Sequence, residues 1–248
     1  MKGGFCHYMW SRVIQFLIRS ARVLKVSPTV KYSALSLFAG RFYPAISRLE
    51  DGKGTKNWLL HPIEESNMQL FALVSLWVTS KVSKCIVDPI HDTPPVSVKS
   101  LKLLGDKLIK EQHYTKRDLL EAEMVLMQVL GFGIGMSNIA FLIFEELVIQ
   151  LKVVARVGEH VKYEACMDIL DLLYECEEMT SLLQSSPQAL AASILVVAYI
   201  ITVPLQRWEF PVLPWVKFVS SCMEEGLVDS VKLILKHIFE HEHQKLTH

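Results

Sequence analysis

The chain has 248 residues, of which 51% are hydrophobic and 21% are charged, and its 26 Lys and Arg balance its 26 Asp and Glu. With only 11 Gly and 10 Pro, the composition excludes a disordered, collagen-like or disulfide-rich chain and favours long helices with short joints. Zero net charge also disfavours a dedicated nucleic-acid-binding protein, which usually carries a basic excess. The mean hydropathy of +0.29 raises the question of a membrane segment.

Charge is distributed unevenly along the chain. Residues 1–49 contain eight Lys and Arg and no acid, because the first acidic residue is Glu50. A basic, acid-free N-terminus is typical of an organelle transit peptide. We favour instead a first folded helix with a basic outer face, because apolar residues recur at helical spacing between Val13 and Leu24.

The first half of the chain shows a helical period throughout and is predicted to form five helices. They cover residues 6–24, 30–43, 67–82 and 97–109, followed by a fifth that opens at a capping box of Thr115 and Asp118 and ends at Leu130-Gly131. The third of these helices is apolar almost all round, which predicts a central position in a helical unit.

The second half repeats this rhythm, and its third helix is again the most apolar. Helices are predicted near residues 138–155, 160–178, 187–203, 211–221 and 227–246. An offset of 119 residues superposes the two central helices with four identities: Gln69/Gln188, Ala72/Ala191, Leu76/Leu195 and Val78/Val197. This pattern predicts two copies of one five-helix unit, joined by the glycine-rich segment 131–135.

The apolar run of residues 189–205 is short for a membrane span, which needs about 20 residues. It follows Ser186-Pro187, a start signal for an ordinary helix. We therefore expect a helix buried in a protein core, with a transmembrane helix as the alternative.

No catalytic residue, metal site or cofactor is predicted. The five cysteines are widely spaced without a C-x-x-C pair, which indicates reduced thiols in an intracellular compartment. His237, Glu240 and His241 match the zinc-protease spacing H-x-x-E-H, but too few residues follow for a third ligand, so a polar C-terminal helix is favoured. Lys81 and Glu123 lie in otherwise apolar helices, and each is expected to reach solvent or a charged partner.

Several segments, in their order along the chain, resemble the cyclin box. Leu37-Phe38-Ala39-Gly40-Arg41-Phe42 resembles the end of its second helix, and residues 68–81 with Pro94-Pro95 resemble its central helix and the segment after it. Residues 114–132 resemble its fifth helix, and residues 186–192 resemble the start of the third helix of a second box. The chain is most similar to plant J-type cyclins.

This resemblance implies an all-α fold of two tandem five-helix cyclin boxes. The expected boundaries are a lead-in of residues 1–9, a kinase-facing first box of 10–132, a linker of 133–136 and a second box of 137–248. In the family, Gly40 is replaced by an aspartate that pairs with the arginine at Arg12, so the resemblance predicts that Arg12 lacks this salt bridge.

The function that the resemblance implies is that of a non-catalytic regulatory subunit that binds and activates a cyclin-dependent protein kinase in cell-cycle control. Its expected location is the nucleus, the cytoplasm or both, with no small-molecule substrate and no membrane. The implied kinase-binding residues are Lys81, Glu123, Leu120 and Met124. An implied docking patch for kinase substrates or inhibitors comprises Arg12, Val13 and Ile14.

Two other functional classes stay open. The basic N-terminus is compatible with a cyclin-fold adaptor that acts in transcription or binds nucleic acid. The same N-terminus, with the apolar run near residue 190, is compatible with an organelle-targeted or membrane helical protein.

Overall fold

The computed structural model describes residues 3–50, 57–60, 63–85, 96–134, 139–183, 186–207 and 209–246. Every regular element within these ranges is helical, so the predicted all-α fold is confirmed. The chain divides into two compact units, residues 1–137 and 138–248. The division lies beside the segment 133–136 that was predicted as a linker.

Unit 1 is built around one central helix. Its α-helices are α1 (Gly3–Val23), α2 (Pro28–Leu37), α3 (Tyr43–Glu50), α4 (Glu65–Cys85), α5 (Val98–Leu108) and α6 (Lys116–Val129). Helix α4 packs against α1, α2, α5 and α6. Residues 71–80 of α4 are all buried, as expected for a helix that is apolar on every side.

Residues 30–43 were predicted as one helix, but they belong to three successive elements. A π-helical turn, Phe38–Phe42, follows α2, and the chain then continues as α3 to Glu50. Phe38 and Phe42 are 1% and 0% exposed, and the Phe42 ring centroid lies 4.6 Å from that of Phe71 in α4. A π turn holds one more residue than an α turn, and here both rings face the core. Helix α1 begins at Gly3, within the segment 1–9 that was expected as a lead-in.

Local signals at the two ends of α6 are confirmed. Thr115 Oγ1 accepts a hydrogen bond from Asp118 N at 3.3 Å, and Asp118 Oδ2 accepts one from Thr115 N at 2.7 Å, which completes the capping box. At the other end Gly131 has φ +57°, and the amide of Phe132 donates to the carbonyl of Met127 at 2.8 Å. This left-handed C-terminal cap is why the helix stops at a glycine.

Unit 2 repeats the arrangement around a second central helix. Its elements are α7 (Ala140–Val154), a 3₁₀ turn (Arg156–His160), α8 (Tyr163–Glu175), a 3₁₀ turn (Glu177–Met179), α9 (Thr180–Leu183), α10 (Pro187–Thr202), a 3₁₀ turn (Leu205–Arg207), α11 (Val212–Ser220) and α12 (Glu224–Leu246). Helix α10 packs against α7, α8, α11 and α12, and its residues 190–199 are buried. The two sequence segments that superpose thus form the central helices of their units.

The apolar run of residues 189–205 and the H-x-x-E-H spacing raised the questions of a membrane span and a metal site, and neither is found among the described residues. Among the helices described, none is both long enough and apolar enough to cross a bilayer. The same ranges contain no group of three or more His, Cys, Asp and Glu side chains placed to hold a metal ion. His237 and His241 both lie on α12.

Candidate functional site

Lys81 and Glu123 form an ion pair between the two helices that carry them. Lys81 lies near the end of α4 and Glu123 lies in the middle of α6, and their Nζ and Oε1 atoms are 2.6 Å apart. The Lys81 side chain is 43% exposed and the Glu123 side chain is 13% exposed. Both charges therefore meet an opposite charge at the surface of unit 1, as two charges carried by apolar helices require.

The indole of Trp77 lies beneath the ammonium group. Lys81 Nζ is 3.4 Å from the centroid of the Trp77 ring, and Trp77 itself is only 4% exposed. An ammonium over the face of a Trp ring is attracted by the ring's electron density. Sequence reasoning missed Trp77, although it precedes Lys81 by four residues, the spacing at which helical side chains meet.

Two apolar side chains on α6 flank the ion pair. Leu120 and Met124 are each 50% exposed. They are four residues apart and therefore share a face of α6, and Leu120 is also three residues before Glu123. We call the set Lys81, Glu123, Leu120 and Met124 the α4–α6 surface. Exposed apolar side chains around a fixed charged pair are the composition expected of a protein-binding surface.

Buried polar contacts join both ends of α4 to the segments that precede α5 and α6. The Tyr114 hydroxyl, just before α6, donates to Asn67 Oδ1 at 2.7 Å near the start of α4. Burial raises the pKa of Tyr114 to about 12, so the phenol stays a donor at neutral pH. Near the end of α4, Ser80 Oγ accepts from the amide of Val96 at 3.3 Å and donates to the Trp77 carbonyl at 2.7 Å.

The segment that leaves α6 is fixed to the π-helical turn. The Arg41 guanidinium donates a hydrogen bond to the carbonyl of Gly133. A Cβ atom at Gly133 would lie 3.4 Å from Arg41 Nη2, which places the guanidinium in contact with this residue. Arg41 belongs to the segment that resembles the cyclin box, but the spacing of residues alone gave no indication of this contact.

The implied docking patch is not an exposed apolar surface. Val13 and Ile14 are 2% and 0% exposed, because they lie on the face of α1 that packs in the core. Arg12 alone of the three reaches solvent, and its Nη2 lies 3.1 Å from Glu65 Oε1. Gly40 offers no carboxylate to Arg12, as expected from the resemblance, and Arg12 pairs instead with Glu65 of α4. A docking role for this region stays a prediction.

Comparisons with known proteins agree with this architecture. A family model described as "Cyclin, N-terminal domain" matches residues 5–135. The chain is 52% identical over 227 residues to Cyclin-J18 of Arabidopsis thaliana, covering 92% of this chain and 93% of that protein. The chain belongs to the cyclin family. This cyclin is also 45% identical over 240 residues to Cyclin-J18-like of Oryza sativa subsp. japonica, covering 94% of this chain and 88% of that protein.

The two relatives identify the chain as a cyclin of the plant J type. Cyclins are regulatory proteins without catalytic activity of their own, and membership in the family implies a kinase partner in general. In this cyclin the α4–α6 surface is the candidate for that contact, because it combines a fixed ion pair with exposed apolar side chains.

Proposed function

We propose that this cyclin binds and activates a cyclin-dependent protein kinase through the α4–α6 surface, in cell-cycle control, in the nucleus, the cytoplasm or both. The observation that carries the proposal is the ion pair of Lys81 and Glu123, with Nζ and Oε1 2.6 Å apart at the surface of the family-matched unit. The residues that the family resemblance marks for kinase binding lie together there, although they come from two helices.

The proposed contact accounts for activation because it would position the kinase's C-helix. A protein kinase needs its own Lys–Glu ion pair in place before it can transfer phosphate, and that pair depends on the position of its C-helix. In this proposal Leu120 and Met124 bury apolar surface against the kinase, and the ion pair fixes the register of the contact. The cyclin then holds the kinase's C-helix in its active position and takes no part in phosphoryl transfer.

The test compares the wild-type chain with the double variant Lys81→Ala/Glu123→Ala in affinity capture from a cell lysate, followed by mass spectrometry and a kinase assay of the captured material. We expect the wild type to capture an active cyclin-dependent kinase, and the double variant to capture about tenfold less or lower still. Because both charges are removed together, no unpaired buried charge is left behind, so the variant is expected to stay folded.

The chain offers a matched control for this experiment. Lys217 and Glu224 in unit 2 form a second Lys–Glu pair with the same distance of 2.6 Å, so Lys217→Ala/Glu224→Ala removes the same groups elsewhere. We expect this control to capture the kinase as the wild type does. Absence of kinase from every capture, or an equal loss in both double variants, would contradict the proposal.

A second candidate function is an adaptor that binds nucleic acid through α1. Arg19 and Arg22 are exposed on this helix and Lys25 follows it, in a stretch without acids. Binding of this kind weakens steeply as salt concentration rises. A salt-sensitive shift of a DNA duplex that Arg19→Gln/Arg22→Gln abolishes, together with absence of a captured kinase, would favour this candidate.

A further inference from the structure

A cavity of about 520 Å³ opens on unit 2, between the turn after α7 and the turn after α10. Arg156 and Arg207 both line it, one from each turn. Unit 2 contains eight Lys and Arg against 15 Asp and Glu, and these two are its only arginines. Both arginines of this negatively charged unit therefore line the same cavity.

The two walls of the cavity are tied to each other. The amide of Lys162 donates to Thr202 Oγ1 at 3.3 Å, and the Arg207 guanidinium contacts His160 Nε2. An arginine can only donate, so His160 Nε2 is the acceptor in this contact. This contact orients one edge of the Arg207 guanidinium and leaves its other N–H groups for a ligand.

The turn that carries Arg156 and His160 has little freedom. A Cβ atom at Gly158 would lie 2.7 Å from Lys152 N and 2.8 Å from the carbonyl carbon of Leu151, so only glycine lets the turn lie this close to the end of α7. On the opposite wall, the Tyr199 hydroxyl donates to the carbonyl of Phe210 at 3.4 Å. The cavity is consequently bounded by two fixed turns.

We propose that this cavity binds a phosphate monoester group through Arg156 and Arg207, with the organic part of the ligand against Val157 and Phe210. The planar guanidinium pairs with phosphate through two parallel hydrogen bonds, and such charge-assisted bonds are about twice as strong as neutral ones. The site lies outside the α4–α6 surface, and the proposal does not depend on kinase binding.

The size and lining of the cavity indicate what carries the phosphate. A volume of about 520 Å³ exceeds that of a bare phosphate ion, and Ala155, Val157 and Phe210 offer apolar surface to the remainder of the ligand. Among the described residues that line the cavity, Glu209 is the one carboxylate, so the organic part is expected to offer hydrogen-bond donors and no second acid. A phosphorylated side chain with its flanking amide groups has these properties, and a nucleoside monophosphate is the other source of the same group.

The experiment follows the arginine Nε–Hε resonances of the full ¹⁵N-labelled chain, which has eight arginines. The probes are acetyl-phosphoserine amide, adenosine monophosphate, inorganic phosphate and acetyl-serine amide, each at constant ionic strength. We expect the phosphoserine probe to shift Arg156 and Arg207 saturably, and acetyl-serine amide to shift neither. Tighter binding of the phosphoserine probe assigns the site to a phosphorylated side chain, and tighter binding of the nucleotide assigns it to that ligand.

Variants separate specific binding from screening of charge. Arg156→Gln and Arg207→Gln are each expected to weaken phosphoserine binding about tenfold, since each removes charge-assisted hydrogen bonds. Arg117→Gln, at an exposed arginine of α6 in unit 1, is expected to leave binding unchanged. The proposal is overturned if no probe produces a saturable shift, if all three arginine variants bind equally, or if inorganic phosphate binds as tightly as both organic phosphates.

Discussion

Tyr114 shows how a single buried hydroxyl joins the start of α6 to α4. Its hydroxyl donates to Asn67, which is 3% exposed, so Tyr114→Phe leaves a buried amide oxygen without this donor. We expect the substitution to lower the free energy of unfolding by about 1–3 kcal/mol at neutral pH, measured by urea denaturation.

The same residue gives a pH dependence with a definite sign. Because the pKa of Tyr114 is raised to about 12 in the folded chain, the unfolded chain loses this proton first as the pH rises. The contribution is fully present below the ordinary tyrosine pKa near 10 and is lost between about pH 10 and 12. Urea denaturation at pH 8 and pH 10.5 should show a smaller fall in stability for Tyr114→Phe than for the wild type. Equal falls in the two proteins would contradict this assignment.

Individual contacts of the candidate site differ in how far the sequence reveals them. Lys81 and Glu123 stand out as charges in apolar helices, and the family resemblance connects them. The contact of Trp77 with Lys81 could have been predicted from helical spacing, because the two residues are four apart. The contact of Arg12 with Glu65 could not be predicted in this way, because helical spacing relates only near neighbours and these residues lie on two different helices.

At the scale of the helix, the start of α6 rests on its capping box. Thr115→Ala removes the side-chain acceptor for the amide of Asp118 and should lower the free energy of unfolding by about 1 kcal/mol. Lys116→Ala, at the exposed first residue of the same helix, is the control and should change it by less than about 0.5 kcal/mol. Equal effects of the two substitutions in urea denaturation would show that the cap contributes nothing of its own.

Most helices were predictable, because apolar period, N-caps and terminal glycines are local signals that packing here reinforces. The two central helices illustrate this: residues 67–82 and 187–203 were expected, and α4 and α10 occupy Glu65–Cys85 and Pro187–Thr202. The π-helical turn was not predictable, since Phe38 and Phe42 four residues apart fit an ordinary helix equally well. Burial of Val13 agrees with the apolar helical spacing that begins there, whereas the resemblance alone did not specify which face of α1 meets α4.

At the scale of the whole molecule, each unit has its own core around an equivalent leucine. Leu76 in α4 and Leu195 in α10 are both fully buried, so Leu→Ala at either should cost about 2–5 kcal/mol. We expect amide hydrogen exchange to accelerate mainly in the unit that carries the substitution. Leu103→Ala, at a residue that is 63% exposed, is the control. Uniform acceleration across both units after either core substitution would show that they unfold as one.

The neutral chain is also a pair of oppositely charged units. Unit 1 contains 18 Lys and Arg and 11 Asp and Glu, a net charge of +7, and unit 2 carries the opposite charge of −7. Screening limits electrostatic effects to about 8 Å at physiological salt, so a partner at either surface meets the charge of that unit rather than the neutral sum. Neutrality therefore does not exclude electrostatic selection of partners by each unit.

The π-helical turn between α2 and α3 has a consequence for how the chain can change in length. Each residue of an α-helix advances the side chains by about 100°, so losing one residue from a helix interior would normally turn everything after it away from the core. Here the wide turn already accommodates one additional residue, and Gly40 on its exposed side has no side chain that anchors it. Deleting Gly40 would convert the turn to ordinary α-helix while α2 and α3 keep their orientations, which makes this turn a site where evolution can add or remove a residue without rebuilding the core.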